Sequence, residues 1–285
     1  MKNKHSSSPI MLLAMAIAFQ YMAFSSLWAK EYAVFDVVGD SVSAGVNPDY
    51  YVPYNRYGWV HILFGQGGGS FPAPVAETIN SLWPGIVQNN SAVIGSKASD
   101  WAASASAYMT TVLNHHPDLV VVMIGGNDFI AFGADGQITA AEIAAYRANL
   151  ETILDRLQAA TPRPEILVVG YYDLADGYSA NLPALLASYR GLSPAAIQGN
   201  EVIRQVAEQK GAHWISIYDA FFHHAYGESL GDAAHQLPEY FRIPIASFDI
   251  HPITVGHRVI YSLVYQKLLE LKNTRASAGS CWMLY

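Results

Sequence analysis

Cysteine occurs once in the 285 residues, at Cys281, so no disulfide can form within the chain and its stability must come from a packed core. Charge is also scarce. Charged residues make up 14% of the chain against 52% hydrophobic, which excludes a disordered polymer and favours a globular protein with much buried strand. The 16 basic residues are outnumbered by 23 acidic ones, for a formal charge of −7. Because the first 29 residues hold Lys2 and Lys4 and no acid, the remainder stands at −9, and nucleic acid is not an expected partner. The sequence has no linker-like run and no internal repeat, so one domain with an ample core is expected. The glycine-rich GQGGGS after Phe64 is not closed by Gly-Lys-Ser/Thr, which excludes a phosphate loop.

The first 29 residues follow the plan of a secretory signal peptide, with a basic start, an apolar stretch from Ile10 to Phe24 and small residues near the end. Cleavage is expected after Ala29, although Leu27 is not the ideal small residue two places earlier. The protein would then be secreted or periplasmic. A retained anchor is the alternative, given the uncharged length from Ser6 to Ala29, and the lack of a nearby cysteine excludes lipid attachment. Residues 30–272 would form the domain proper and 273–285 a loosely held tail.

The stretch YAVFDVVGDSVSAG, Tyr32 to Gly45, organises the rest. It reads as a strand, a sharp turn at Gly39-Asp40, and an exposed Ser41 with a helix opening behind it. Further strands are expected over Ile86–Ile94, Asp118–Ile124, Glu165–Tyr171 and Ala212–Tyr218, the unbroken apolar run at Asp118–Ile124 being typical of a strand covered on both faces. Helices are expected over Arg56–Phe64, Asp100–Asn114, from the Thr139/Glu142 capping box to Ala160, from Ser193-Pro194 to about Lys210, and over Ile253–Lys272. Strands alternating with helices imply an α/β fold, a three-layer αβα sandwich around a five-stranded parallel sheet. Ligands of such sheets bind at the carboxyl ends of the strands. Ser41 follows strand one, Gly95 strand two, Asn127 strand three, and His251 lies beyond strand five, so all fall on one rim.

Acyl transfer needs a nucleophile, a base, a group that orients the base, and donors aimed at the oxyanion. Ser41 is the candidate nucleophile, His251 the base and Asp249 the orienting carboxylate. The backbone amides of Ser41 and Gly95 and the side-chain amide of Asn127 are the candidate oxyanion donors. Glycine at 95 leaves no Cβ in the way of a substrate, and asparagine at 127 donates without titrating.

These residues fall in four blocks: Gly39-Asp40-Ser41, Gly95 within NNSAVIGSKASD, Gly125-Gly126-Asn127-Asp128, and His251-Pro252 followed by Gly256-His257. In order and spacing, over about 220 residues, the chain resembles the SGNH (GDSL-type) hydrolases. The resemblance implies a flavodoxin-like sheet order, serine esterase chemistry without metal or other cofactor, and the roles just assigned. The chain departs from the family at one point. The family places two residues between its acid and histidine, whereas Asp249 and His251 have one, and Phe248 occupies the usual acid position. An α/β-hydrolase elbow is excluded, since Gly-x-Ser-x-Gly occurs nowhere.

Other conspicuous residues have plainer readings. Asp40 and Asp128 read as turn and cap acids. Asp36, inside an apolar strand, needs a partner that the sequence does not reveal. His115-His116 and His223-His224 suggest metal at a glance, but adjacent histidines diverge and no further ligands complete a shell, so they read as surface histidines.

The expected function is hydrolysis of carboxylic esters, whether lipid, lysophospholipid or acetyl, through an acyl-Ser41 intermediate. The Tyr- and Phe-rich connections at Tyr172–Leu192 and Phe221–Phe248 would flank the rim and suit acyl chains, with transient contact to membrane lipid, or sugar rings. An acyltransferase or deacetylase acting on a cell-envelope or plant polysaccharide is the alternative, and a non-catalytic binding module is disfavoured by the presence of Ser41, Asn127 and His251.

Overall fold

The structure, a computed structural model, describes residues 31–49, 57–66, 75–135, 137–181, 189–226, 239–242 and 250–281, with side chains as far as residue 274 in the last helix. The chain divides into a unit Tyr32–Lys267, which carries the sheet and the site, and a unit formed by Met1–Glu31 and Leu268–Tyr285. The expected signal segment lies outside the described residues.

Five parallel strands form the sheet: β1 (Val34–Gly39), β2 (Val87–Gln88), β3 (Leu119–Met123), β4 (Glu165–Val169) and β5 (His213–Ile215). Their order is β2-β1-β3-β4-β5, the flavodoxin-like arrangement. Val120 pairs with Asp36 on one side and Ile166 on the other. Every residue of β3 is buried because it is the central strand, which is why its sequence is an uninterrupted apolar run. Strand order reverses between β1 and β3, so a crevice opens beyond their carboxyl ends.

Helices α1 (Ser41–Ala44), α2 (Trp59–Leu63) and α3 (Ile79–Leu82) connect β1 to β2, and α4 (Ala98–Ala102) with α5 (Ala107–Asn114) connects β2 to β3. Then α6 (Gly126–Phe132) and α7 (Ala140–Gln158) lead to β4, and α8 (Leu192–Gln209) leads to β5. After β5 come α9 (Tyr218–Phe221) and α10 (Thr254–Cys281). One layer joins α4, α7 and α8. The other joins α2 and α3 to α10 through Trp59 N–H to His257, Tyr261 O–H to the Glu77 carbonyl and Ser81 against Tyr265.

Several elements differ from expectation, among them short helices α3, α6 and α9 that were not expected and a β5 of three residues. The second strand shrinks from Ile86–Ile94 to two residues because the polar run after it binds through side chains: Asn90 donates to the Ser43 carbonyl and Ser91 to Asp36. The expected helix Asp100–Asn114 is two helices. Ala103 leaves helical geometry at ψ 136°, and Ser106 caps the second helix by accepting from the Met109 amide. Finally, α10 continues past Lys272 to Cys281.

Candidate active site

The turn that presents Ser41 is built by its neighbours. Asp40 is the N-cap of α1, its carboxylate accepting the Val42 amide at 3.1 Å, and Ser41 is the first helical residue. Gly39 must be glycine there. A Cβ would stand 2.7 Å from that of Ser43 and 2.9 Å from the Met123 carbonyl of β3.

His251 arrives from the other end of the chain and is held by its flanks. Tyr172, just beyond β4, donates to the Ile250 carbonyl at 2.8 Å, and Pro252 bridges Phe241 in antiparallel fashion. Ile253 donates to the Tyr240 carbonyl at 2.8 Å, and the Thr254 amide that opens α10 donates to Asp49 at 2.9 Å. Behind this segment Tyr172 stacks on Phe221 with centroids 4.9 Å apart and meets Phe241 edge-on at 5.2 Å. The result places His251 Nε2 2.9 Å from Ser41 Oγ. Ser41 is only 5% exposed, so its hydroxyl meets the imidazole in a largely water-poor setting.

Asn127 lies in the first turn of α6 at the end of β3. Its Nδ2 donates to the Ser96 carbonyl at 3.0 Å, while Asp128 accepts the Ala98 amide at 3.0 Å. The two adjacent side chains therefore pin the loop that carries Gly95. The Ser96 hydroxyl ties the same loop to the Gly39 carbonyl at 3.1 Å and accepts from the Trp101 indole at 3.0 Å. Gly95 sits at φ +79°, with no atom within 4 Å of where a Cβ would be. Ser41, Asn127 and His251 line one cleft, together with Asp40, Tyr171 and Tyr172. Val42, Phe129, Ile130, Leu174, Leu192 and Ile250 supply its apolar wall. Gly95 is exposed beside this cleft and is not among its lining residues. Asp249 and Phe248 lie outside the described residues.

Burial shapes the electrostatics. It pushes Asp40 up to about 6, against the opposing pull of the Tyr171 hydroxyl, the Val42 amide and the charge on His251. Asp128 is pushed up to about 6 by burial as well, opposed by the Ala98 amide and Lys97. His257, in the same block as His251, is not part of the chemistry. Its Nδ1 accepts the Trp59 amide and its Nε2 donates to the Val46 carbonyl just after α1, a neutral imidazole whose pKa burial lowers to about 4.

Several site residues went unread in the sequence. Asp49 and Tyr172 hold the histidine arm, and Tyr171 donates to Asp40 Oδ2 at 2.5 Å. Their one available signal was position, since Tyr171 and Tyr172 follow β4 at the same rim as Ser41 and Asn127. Asp36 finds its partner in His115, 2.7 Å away, and His224 faces Glu239 at 3.0 Å. Among the described residues no cluster of His, Cys, Asp or Glu could hold a metal ion.

The family model for GDSL-like lipases and acylhydrolases matches residues 37–259. Among curated proteins no sequence matches. Of the solved structures, Axe2, an acetylxylan esterase from Geobacillus stearothermophilus, superposes with a TM-score of 0.53 at 16% identity, over 85% of this chain and 96% of that one. An extracellular lipase from Streptomyces rimosus gives 0.51 at 19% identity, over 84% and 98%. LAE5, an enzyme from the metagenome of Lake Arreo, Spain, gives 0.53 at 18% identity, over 84% and 96%. At these identities the likeness is one of fold.

Proposed function

The chain belongs to the GDSL-like lipase/acylhydrolase family and is a hydrolase of ester bonds, and from that premise we propose that it cleaves carboxylic esters through an acyl-Ser41 intermediate. The observation that carries this reading is the 2.9 Å contact between Ser41 Oγ and His251 Nε2. His251 takes the serine proton as Oγ attacks the ester carbonyl, then returns it to the leaving alcohol. Water, activated by the same imidazole, releases the acid. Donors at Asn127 and the amides of Ser41 and Gly95 would receive the oxyanion. Asp249 is the proposed orienter of His251. If Asp249→Asn kept more than about a tenth of wild-type kcat, the site would work as a Ser-His dyad.

The apolar wall of the cleft supports an acyl chain longer than acetyl as the bound group. Two extra buried methylenes, at about 0.8 kcal/mol each, should make a butyryl ester about tenfold better than an acetyl ester in kcat/KM. A panel of p-nitrophenyl esters from acetyl to palmitoyl tests this, beside labelling by a fluorophosphonate. Ser41→Ala should lose both turnover and label while keeping its fold, and equal labelling of the variant would refute Ser41 as nucleophile. Turnover confined to acetyl esters would favour a polysaccharide deacetylase. Export rests on the first 29 residues alone, and a purified secreted protein should begin at Lys30.

A further inference from the structure

Outside the serine and histidine, the most constrained polar contact at the rim joins Tyr171 to Asp40. The Tyr171 hydroxyl donates to Asp40 Oδ2 at 2.5 Å and approaches the Met123 carbonyl at 3.3 Å, while the other Asp40 oxygen caps α1 at Val42. Both residues are buried, at 2% and 1% exposure. Tyr171 is itself fixed through its backbone. Its N–H donates to Asn200 Oδ1 at 2.7 Å and its carbonyl accepts from Asn200 Nδ2 at 2.8 Å. Room for the pair comes from Gly126. A Cβ there would stand 2.7 Å from the Tyr171 ring and 3.2 Å from Asp40 Oδ2. The contact therefore involves β1, the start of α6 and the end of β4, and it ends one residue from the nucleophile.

A cap needs only one carboxylate oxygen, and a serine, threonine or asparagine would serve as well. What a carboxylate adds is charge, held here in a dry place. Tyr171, just beyond β4, and the Val42 amide touch it, His251 lines the same cleft, and Asp128 on α6 and Tyr146 on α7 are the other titratable groups in its field. His251 is the member that becomes cationic during the reaction. We propose that Tyr171 and Asp40 act as a positioning pair for proton transfer, Tyr171 holding the Asp40 carboxylate as a fixed negative charge that favours the imidazolium formed when His251 takes the Ser41 proton. The proton moves from Ser41 Oγ to His251 Nε2 and back to the leaving group, and Asp40 stays ionised throughout. This rests on Ser41 being the nucleophile.

The signs follow from the contacts. The Tyr171 hydrogen bond opposes the upward push of burial on Asp40, so its loss raises the Asp40 pKa further and a larger fraction is neutral at pH 7. Activity should then require a higher pH. Removing the charge outright cannot be cured by pH.

The experiment measures kcat and KM for p-nitrophenyl butyrate from pH 5 to 9, with melting temperature, on the full chain and on Tyr171→Phe, Asp40→Asn and Ser41→Ala. Tyr171→Phe should shift the acid limb of kcat upward by about one pH unit, leave KM unchanged and approach wild-type kcat near pH 9. Asp40→Asn retains a side-chain oxygen for the cap yet should lose about ten- to a hundredfold in kcat at every pH, the effect of one opposite charge on a histidine. A wild-type pH profile in Tyr171→Phe, with only a lower melting temperature, would make the pair purely structural. Asp40→Asn within twofold of wild-type kcat would overturn the proposal even if Tyr171→Phe failed to fold. Retained turnover in Ser41→Ala would remove the nucleophile and this inference together, whereas a dead Ser41→Ala beside a fully active Asp40→Asn removes the inference alone.

Discussion

The two ends of the sheet handle carboxylates in different ways. Toward the amino-terminal edge, Asp36 faces His115 at 2.7 Å and Glu165 faces His213 at 2.6 Å, each histidine partly exposed to water. Asp118 there accepts the Ala33 and Val34 amides at 3.0 and 3.2 Å, fixing where β1 begins. At the carboxyl rim, Asp40 and Asp128 are buried and are held by amides and a tyrosine hydroxyl, and burial pushes both up to about 6. The difference teaches that acids at the amino-terminal end fix where strands begin and pair, each with a partly exposed histidine or strand amides as partner. Those at the rim hold the turn that carries Ser41 and the loop ahead of α4, through backbone amides and a tyrosine hydroxyl alone.

The comparison breaks first if a rim residue proves to matter for stability and not for rate. Asn127→Ala should lower kcat by about a hundred- to a thousandfold, the loss typical of one oxyanion donor, with little change in KM. Its contact with the Ser96 carbonyl also predicts a modestly lower melting temperature, since that bond pins the loop before α4. An effect on KM alone would assign Asn127 to substrate binding. A large fall in melting temperature with near-normal kcat would make it a clamp and erase the distinction between rim and edge.

Sequence carried the architecture chiefly because β3 and β4 are apolar runs between a proline and a glycine, and burial on both faces leaves no other pattern. It placed Ser41 and Asn127 on the rim because each follows a strand, where local chain geometry decides its position, while the contacts that bring His251 to Ser41 come from distant segments. Contacts between distant segments were illegible. Asp36 and His115 are 79 residues apart, and Tyr171 and Asp40 are 131 apart, so no local pattern pairs them. Helix α6 was also hidden, since Gly125-Gly126-Asn127-Asp128 reads as a turn until Asn127 and Asp128 are seen gripping the loop ahead of α4. Gly95 was read from its block, yet the cleft is lined without it.

A second prediction sharpens the comparison through acid. His257 links α2 to Val46, just past α1, and is neutral in the fold, with a pKa lowered to about 4 against about 6.5 unfolded. Between those values the unfolded chain binds more protons, so the contribution is complete above about pH 6.5 and is lost as pH falls toward 4, up to about 3 kcal/mol. Asp40 and Asp128 act in the opposite sense. Their raised values mean that acid relieves the cost of burying their charge as pH falls through about 6. His257→Gln should therefore be less stable at pH 7 but lose less on going to pH 4.5, as read by urea unfolding at both. An unchanged pH slope would show that His257 does not govern acid sensitivity of the rim.

The smallest effect is expected at the opposite edge, from Asp36→Asn. Asp36 is fully buried in β1 and accepts four bonds: from its neighbour Val37 at 2.7 Å, from the Ser91 amide and hydroxyl at 3.1 and 3.0 Å, and from His115 Nδ1 at 2.7 Å. Asparagine can keep one oxygen as acceptor, but its NH2 would turn toward groups that now donate, leaving buried donors opposed. Bonds to a charged acceptor are worth about 1.5–3 kcal/mol, and partial retention of the set puts the expected loss at about 1–2 kcal/mol. Neither Ser41 nor His251 touches this cluster, so kcat and KM should stay within twofold of wild type while the urea midpoint falls with unchanged m. A tenfold loss of kcat without loss of stability would mean that the edge acid is coupled to the site through β1, whose far end delivers Ser41, and the separation of roles between the two ends of the sheet would have to be abandoned.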